Sequence, residues 1–337
     1  MTYKLEGIKA LRNVKIKWDF LHVAVKFWDP EDHVFRFNTS ELYLTIEEFF
    51  AILGYDPGKK FVAVSCDPRH KKSLSDAPNL PTSITNSMIE GHMVNLRAII
   101  SWLIYKRTYG VTENMQKNFS LALCMVGKLL LCSRRCGFVD AQAISVVSQI
   151  KNGDNPVSLI LAETLLGLDA IFHSGETQIF LGSPLTLQIW LMKRLDMIAK
   201  PSSDNYGPSS FLIRAIIKAE CQIESDWVRF LDKKSSTSIQ WDYYWWKCPP
   251  PLLRSLGSDH IFLVGLKRAT FYKGDRLLRQ FKYEQGMPSG NRRRHFTPVD
   301  TNPTSVKNML LGLEMADRVD QSFVKVHFHR MNTKQDC

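Results

Sequence analysis

Helix-start signals recur along this chain of 337 residues and constrain its fold more than any other feature. Thr45-Ile46-Glu47-Glu48 is a capping box, in which the threonine hydroxyl accepts from the amide of Glu48 and the glutamate can reach back to the amide of Thr45. Asn155-Pro156 and Ser183-Pro184 each place a capping side chain directly before a proline at the first helical position. Strand signals are few by comparison. The sequence therefore predicts a mainly α fold, a compact multi-helix domain with a few short strands.

Apolar spacing places the remaining elements. Helices are predicted over residues 87–109, 112–132 and 211–231 and from Asp140 onward, and strands over residues 34–37 and 261–264. The longest irregular connection spans residues 56–85, and a polar break spans residues 200–210. We expect one helical domain over residues 1–290, with an internal break near 200–210, and a basic C-terminal extension over residues 291–337.

Positive charge is the main compositional bias. Lysine and arginine number 44 against 33 acidic residues, which gives a net charge of +11. Ordinary solubility charge and attraction to an acidic partner, nucleic acid above all, both fit this excess. Part of it is local, because residues 251–295 hold ten Lys/Arg and three Asp/Glu. The predicted DNA, RNA or partner contacts are Lys267, Arg268, Lys273, Arg276, Arg279, Arg292, Arg293 and Arg294. The last three also fit a solvated loop or a nuclear-import signal.

Catalytic motifs are missing from the sequence. It contains no GxSxG elbow, P-loop, HExxH or GxGxxG. Cys132 and Cys136, and separately His327 and His329, have spacings that zinc tolerates, but neither pair has the further ligands that a zinc site needs. The sequence therefore predicts no enzyme activity, no cofactor and no metal site.

The sequence also bears on compartment. No uninterrupted apolar run reaches about 18 residues, and the charged N-terminus lacks the apolar region of a signal peptide, so no membrane partner is expected. The seven cysteines are an odd number, and several lie in apolar helical sequence. Reduced, buried thiols in the cytosol or nucleus are the expectation.

An aromatic cluster, residues 241–246, precedes the basic segment. Such rings beside cations can stack exposed bases, and they can equally anchor helix packing in a core. Core packing is the favoured interpretation.

Ordered blocks of the chain resemble the plant mobile domain family. Residues 33–38 lead through Glu41 to the threonine-capped segment 45–55, and residues 161–166 lead to Gly182-Ser183-Pro184-Leu185-Thr186-Leu187-Gln188-Ile189-Trp190, which is similar to the family's Gly-x-Pro-x-x-Leu-Gln-x-Trp helix start. The aromatic cluster and the stretch from Pro249 to Pro288 complete a resemblance over roughly residues 18–290. The middle and C-terminal blocks look closest to members associated with plant retroelements. A related plant domain of unknown function, common near such elements, is the competing assignment.

The resemblance implies a nuclear protein of the maintenance-of-meristems type, a group implicated in genome stability, gene expression and transposon silencing. The family is also named aminotransferase-like, but the sequence shows no cofactor-lysine context, so that activity is not expected here. Relatives with a phosphatase-like domain imply a phosphatase-like or chromatin protein as partner. We therefore expect a non-catalytic nuclear interaction module of plant mobile-element origin. The alternatives are a capsid-like assembly protein of a retroelement and a metal-dependent nuclease or transferase.

Overall fold

The computed structural model describes residues 5, 8, 11, 14–38, 40–64, 82–108, 114–174, 180–198, 223–241, 248–254, 260–274, 280 and 303–318. Helices account for 54% and strands for 16% of the well-placed residues, so the fold is mixed and helix-rich. The helices are α1 Trp18–Val25, α2 Ile46–Leu53, α3 Thr82–Met88, α4 Leu96–Thr108, α5 Asn114–Met125, α6 Ala143–Asn152, α7 Val157–Ser174, α8 Pro184–Arg194, α9 Glu224–Asp232 and α10 Pro303–Glu314, and a π-helical turn, Val126–Leu130, continues α5. The strands are β1 Trp28–Asp29, β2 Val34–Phe37, β3 Ser40–Tyr43, β4 Ile89–Glu90, β5 Met93–Asn95, β6 Phe138–Asp140, β7 Leu252–Arg254, β8 His260–Val264, β9 Ala269–Lys273 and β10 Asp317–Arg318.

The three helix starts are confirmed. Thr45 Oγ1 accepts from the amide of Glu48 at 3.2 Å, and Asn155 Oδ1 accepts from the amide of Val157 at 3.0 Å. Ser183 Oγ accepts from the amide of Thr186 at 3.3 Å, directly before the proline that opens α8. Each bond satisfies an amide that the first helical turn leaves without a partner.

The helix predicted over residues 87–109 is wrong in its first part. Helix α3 ends at Met88, and strands β4 and β5 form a hairpin before α4 begins. Gly91, at a φ of +62°, makes the turn, because a residue without Cβ adopts this conformation at low cost. Strand β6 completes the antiparallel sheet in the order β4-β5-β6. Asp140 therefore ends a strand, and the helix predicted there begins three residues later at Ala143.

The short strands form three further antiparallel groups. Strands β1, β2 and β3 make one sheet, β8 pairs with β9, and β7 pairs with β10. Strands β2 and β8 confirm the two predicted strands. Helix α10 packs against β8, so residues 303–318 of the predicted C-terminal extension contact the hairpin β8–β9 and β7. The predicted break at residues 200–210 lies outside the described residues.

Helix α7 is the centre of the core and contacts α1, α2, β8 and β9. Among the described residues it is the one helix long and apolar enough to cross a membrane. Of this helix, 61% is buried inside the protein, as is usual for a long apolar helix in a core.

Two glycines allow the segment before α8 to approach α7 closely. A Cβ at Gly167 would lie 2.5 Å from the carbonyl oxygen of Leu181, and a Cβ at Gly182 would lie 2.5 Å from the backbone nitrogen of Thr164.

A buried polar centre joins α2 to α8. Glu48 Oε1 accepts from Arg194 Nε at 2.8 Å, and Glu48 Oε2 accepts from Trp190 Nε1 at 2.9 Å. Gln280 Nε2 also donates to Oε2, at 2.9 Å, and the Thr45 hydroxyl donates to it at the same distance. The glutamate of the capping box thus accepts from the threonine hydroxyl and from α8, whereas the sequence suggested a bond back to the Thr45 amide.

His33 links the sheet β1–β2–β3 to α7 and β9 through hydrogen bonds. Its Nε2 lies 3.0 Å from Asp169 Oδ2, and its Nδ1 lies 2.9 Å from the carbonyl oxygen of Phe271. Trp28 stacks on the imidazole and donates to the other oxygen of Asp169 at 2.9 Å. Burial lowers the pKa of His33, but the hydrogen bond and charge of Asp169 outweigh it, and the pKa is raised above its usual value.

Candidate nucleic-acid interface

The sheet β4–β5–β6 has a core face and an outer face. Side chains alternate between the faces of a strand, and directly paired residues share a face. The pairs Ile89–Val94 and Val94–Val139 lie on the core face, where all three side chains are buried. The outer face consequently carries Glu90, Met93, Asn95, Phe138 and Asp140.

Two cations from distant parts of the chain lie on this outer face. The Arg135 guanidinium lies 3.6 Å from the centre of the Phe138 ring, and its Nη1 lies 2.6 Å from Glu90 Oε2. Lys267, in the turn between β8 and β9, places its Nζ 2.8 Å from Asp140 Oδ2. Both side chains remain more than half exposed, at 56% and 55%. Both cations are therefore accessible on this face, each paired with a carboxylate.

Further exposed cations are adjacent to this pair. Arg134 and Arg268 are neighbours in sequence of the two central cations, are exposed, and form no ion pair with any residue that the structure describes. Arg97, at the start of α4, lies over Gly137, because a Cβ at Gly137 would meet its Nε at 2.9 Å. We refer to Arg97, Arg134, Arg135, Lys267 and Arg268 as the basic sheet face.

Glu163 of α7 holds the turn that carries Lys267 and Arg268. Its Oε1 accepts from the amide of Leu266 at 2.6 Å, and the amide of Gly265 donates to the carbonyl oxygen of Arg268 at 2.8 Å. A Cβ at Gly265 would lie 2.5 Å from the same Glu163 oxygen and 2.8 Å from the carbonyl oxygen of Arg268, so a larger residue would displace the backbone of this turn. Burial, together with the charge of Asp140, raises the pKa of Glu163 to about 7.

The predicted contact residues are only partly brought together. Lys267 and Arg268 lie on the basic sheet face. Lys273 lies at the other end of β9, where its Nζ is 3.0 Å from Asp32, a carboxylate that also pairs with Arg36 at 2.7 Å. Arg276, Arg279, Arg292, Arg293 and Arg294 lie outside the described residues.

Sequence reasoning missed Arg97, Arg134 and Arg135, although a signal was present. Residues 91–139 contain seven Lys/Arg and a single acidic residue, Glu113. This acid-poor stretch is as biased as the C-terminal segment, and only the fold shows that Arg135 and Lys267 share one face of a sheet.

The described residues hold no group of three or more His, Cys, Asp or Glu side chains that could bind a metal ion. The four described cysteines, Cys124, Cys132, Cys136 and Cys248, are free thiols. Burial raises the pKa of Cys132 to about 11, which suppresses the thiolate that metals and electrophiles require. His327 and His329 lie outside the described residues.

The aromatic cluster is described only at its first residue. Trp241 is partly buried against the core, and its Nε1 donates to the carbonyl oxygen of Ser236 at 2.8 Å. This residue packs as the core interpretation expects, and residues 242–246 lie outside the described part of the chain.

A family model matches residues 3–324, a span that includes every helix and strand described above, and its description is Domain of unknown function (DUF7745). No curated protein and no solved structure matches the chain. The extent of the match shows that the chain belongs to the DUF7745 family.

Proposed function

We propose that this protein is a non-catalytic nuclear interaction module of plant mobile-element origin that binds nucleic acid through the basic sheet face. The nuclear location, the mobile-element origin and a phosphatase-like or chromatin partner follow from the resemblance to the plant mobile domain family. The proposal includes a mainly α domain over residues 1–290, extended by residues 291–337. The nucleic-acid part of the proposal is supported by the positive charges of the described residues.

The convergence of two basic segments carries the proposal. Arg135 and Lys267 share one face of a sheet although they come from separate regions of the chain. Arg135 lies over Phe138 and Lys267 pairs with Asp140, and these two residues are about 7 Å apart along β6. Phosphates recur along each strand of a nucleic acid, so two cations at this spacing can contact neighbouring phosphates of one backbone.

The ion pairs already present on this face do not oppose the proposal. Arg135 and Glu90 are 56% and 44% exposed, and exposed ion pairs of this kind contribute only about 0–1 kcal/mol to stability. A phosphate can therefore compete for Arg135 at small cost, whereas Lys267 stays paired with the buried Asp140 and offers its exposed side to a phosphate. Arg134 and Arg268 add positive charge that no described carboxylate pairs with.

Fluorescence anisotropy with labelled single-stranded RNA, single-stranded DNA and duplex DNA tests the proposal. We expect binding whose logarithm falls linearly with the logarithm of salt concentration, because each neutralised phosphate releases counterions. Replacing Arg134→Glu together with Arg268→Glu should weaken binding at least tenfold and reduce the salt slope. Absence of binding at low salt to all three probes would overturn the proposal.

A matched control separates this face from net charge. Lys59→Glu with Lys60→Glu makes the same change in charge at two exposed positions. The carbonyl oxygen of Lys60 accepts from Asn155, which places these lysines beyond the far end of α6 from Asp140, a helix about 15 Å long. The control should change affinity less than threefold, and equal losses would assign the binding to total charge. Arg292, Arg293 and Arg294 changed to Glu would report the predicted C-terminal contribution.

A further inference from the structure

Helices α4 and α5 form a second surface, distinct in chemistry from the basic sheet face. They contact each other and are joined by five residues, the arrangement of an antiparallel helical hairpin. Half of the exposed large apolar residues in the described part of the chain belong to this pair: Ile100, Ile104, Tyr105, Met115 and Leu121. We call this surface the cationic hairpin.

The two helices of the cationic hairpin contain no carboxylate. Helix α4 has 13 residues and α5 has 12, and neither includes Asp or Glu. Arg97, Arg107 and Lys117 are exposed on the two helices, and Lys128 is exposed on the π-helical turn that follows. An exposed helix pair that is apolar and cationic, with no acidic residue, departs from the mixed charge that solvated helix surfaces usually show.

One stripe of residues along α4 carries both exposed cations and exposed apolar side chains. Arg97, Ile100, Ile104 and Arg107 follow each other at spacings of three and four, which places them on one side of a helix. Ile100 and Ile104 are 45% and 61% exposed, and the arginines at both ends are exposed. The stripe is about 15 Å long, the length of three helical turns.

We propose that the cationic hairpin docks an acidic amphipathic helix of another protein. Charge complementarity selects this occupant, because acidic side chains about 15 Å apart would meet Arg97 and Arg107 while apolar side chains between them cover Ile100 and Ile104. A second copy of the chain is disfavoured, since two such hairpins would bring like charges together. Nucleic acid could use the cations but not the isoleucines.

An anionic membrane shares the required chemistry, but the shape of the stripe argues against it. A helix that lies in a membrane interface buries a continuous apolar face rich in Trp, Phe and Leu. Here two isoleucines are bounded by arginines at both ends of a single stripe, which suits one partner helix of similar length. The inference is separable from nucleic-acid binding, because Ile104 and Arg107 do not belong to the basic sheet face, although Arg97 belongs to both surfaces.

The test uses a fluorescein-labelled peptide of about five helical turns, with leucine at i, i+3, i+4 and i+7 and glutamate on the flanking positions. One control peptide has the same composition in an order without helical period, and another replaces glutamate with lysine. We expect the acidic helix to bind with a Kd on the order of 10 µM. Ile104→Glu and Arg107→Glu should each weaken it at least tenfold.

Met315→Glu is the matched control for Ile104→Glu, since Met315 is an apolar residue of similar exposure, 60%, that directly follows α10. It should change peptide affinity less than twofold, as should Arg134→Glu, which keeps this result separate from nucleic-acid binding. Equal binding of the aperiodic peptide would overturn the proposal. So would Ile104-dependent binding to phosphatidylserine vesicles without binding to the peptide, or absence of binding to both.

Discussion

Arg194 and Glu48 form an ion pair inside the core, with Nη2 2.6 Å from Oε1 and side chains that are 1% and 0% exposed. The guanidinium also donates through Nη1 to the carbonyl oxygens of Gln240 and Trp241, at 3.2 and 3.3 Å. One arginine thus connects α2, α8 and the segment that follows α9. Because both charges are removed from water, each depends on the other.

Replacing Arg194→Met should destabilise the protein by about 3–5 kcal/mol, because Glu48 would be left as a buried charge without its main partner. Urea unfolding followed by circular dichroism measures the change. Arg36→Met is the control: Arg36 contacts Asp29, Asp32 and Glu41, yet its side chain is 43% exposed. Exposed pairs contribute little, so this variant should lose about 1 kcal/mol or less. Equal losses would show that burial does not decide the strength of the Glu48 pair.

Lys193, next to that ion pair, should make stability rise with pH. Burial lowers its pKa to about 6, although the nearby Cys248 and Glu48 favour the charged form. Between pH 6 and the ordinary lysine value, the unfolded chain binds a proton that the folded protein does not, so the free energy of unfolding increases as pH rises. Lys193→Met should remove this increase, up to about 1.4 kcal/mol for each pH unit.

Denaturant unfolding of the wild type and of Lys193→Met from pH 6 to pH 9 tests this. The free energy of unfolding of Lys193→Met should exceed that of the wild type most at pH 6, and this excess should decline as pH rises. The exposed Lys59→Met should show no such trend. A difference that is constant across this range would contradict a lowered pKa in the folded state.

Local signals predicted the three capped helix starts, whereas the basic sheet face depends on distant contacts. Thr45, Asn155 and Ser183 cap helices through bonds to amides two or three residues away, so their sequence neighbourhood was sufficient. The contact of Lys267 with Asp140 joins segments far apart in the chain. A contact between such distant segments leaves no periodic pattern in the sequence from which it could be predicted.

The sheet β4–β5–β6 explains the main error. Its strands have two or three residues each, too few for an alternating pattern to stand out from helical spacing. Missing these strands concealed the outer face, and with it the position of Arg135. The acid-poor composition of residues 91–139 was visible in the sequence, but its significance depends on this sheet.

Glu163 should make stability fall as pH rises toward neutrality. Its pKa is raised to about 7 from an ordinary value of 4.5, so between these values the folded protein holds a proton that the unfolded chain releases. Stability is then full below pH 4.5 and is lost as pH rises through 7, by roughly 3 kcal/mol at most. Glu163→Gln should remove this loss while leaving an oxygen to accept from Leu266.

The stability difference between wild type and Glu163→Gln, measured by denaturant unfolding from pH 5 to pH 8, isolates Glu163 from other groups such as His33. The exposed Glu314→Gln is the control and should give a flat difference. If the Glu163→Gln difference were also flat, the carboxyl under the Lys267 turn would titrate normally, and its burial would not affect the basic sheet face near neutral pH.

Gly182 should be among the least replaceable residues in the chain. It has a φ of +77°, and a Cβ there would lie 2.5 Å from both the backbone nitrogen and the Cα of Thr164. Gly182→Ala therefore combines the cost of a left-handed backbone, about 1–2 kcal/mol, with displacement of α8 from α7.

Gly153→Ala is the matched control, because Gly153 has a φ of +98° but no atom lies within 4 Å of the point that a Cβ would occupy there. Thermal unfolding should show a loss for Gly182→Ala larger by about 2 kcal/mol or more, since only there does the new methyl group meet backbone. Similar losses in the two variants would mean that the approach of α7 to the start of α8 can relax, and that the Gly182-Ser183-Pro184 sequence serves the turn alone.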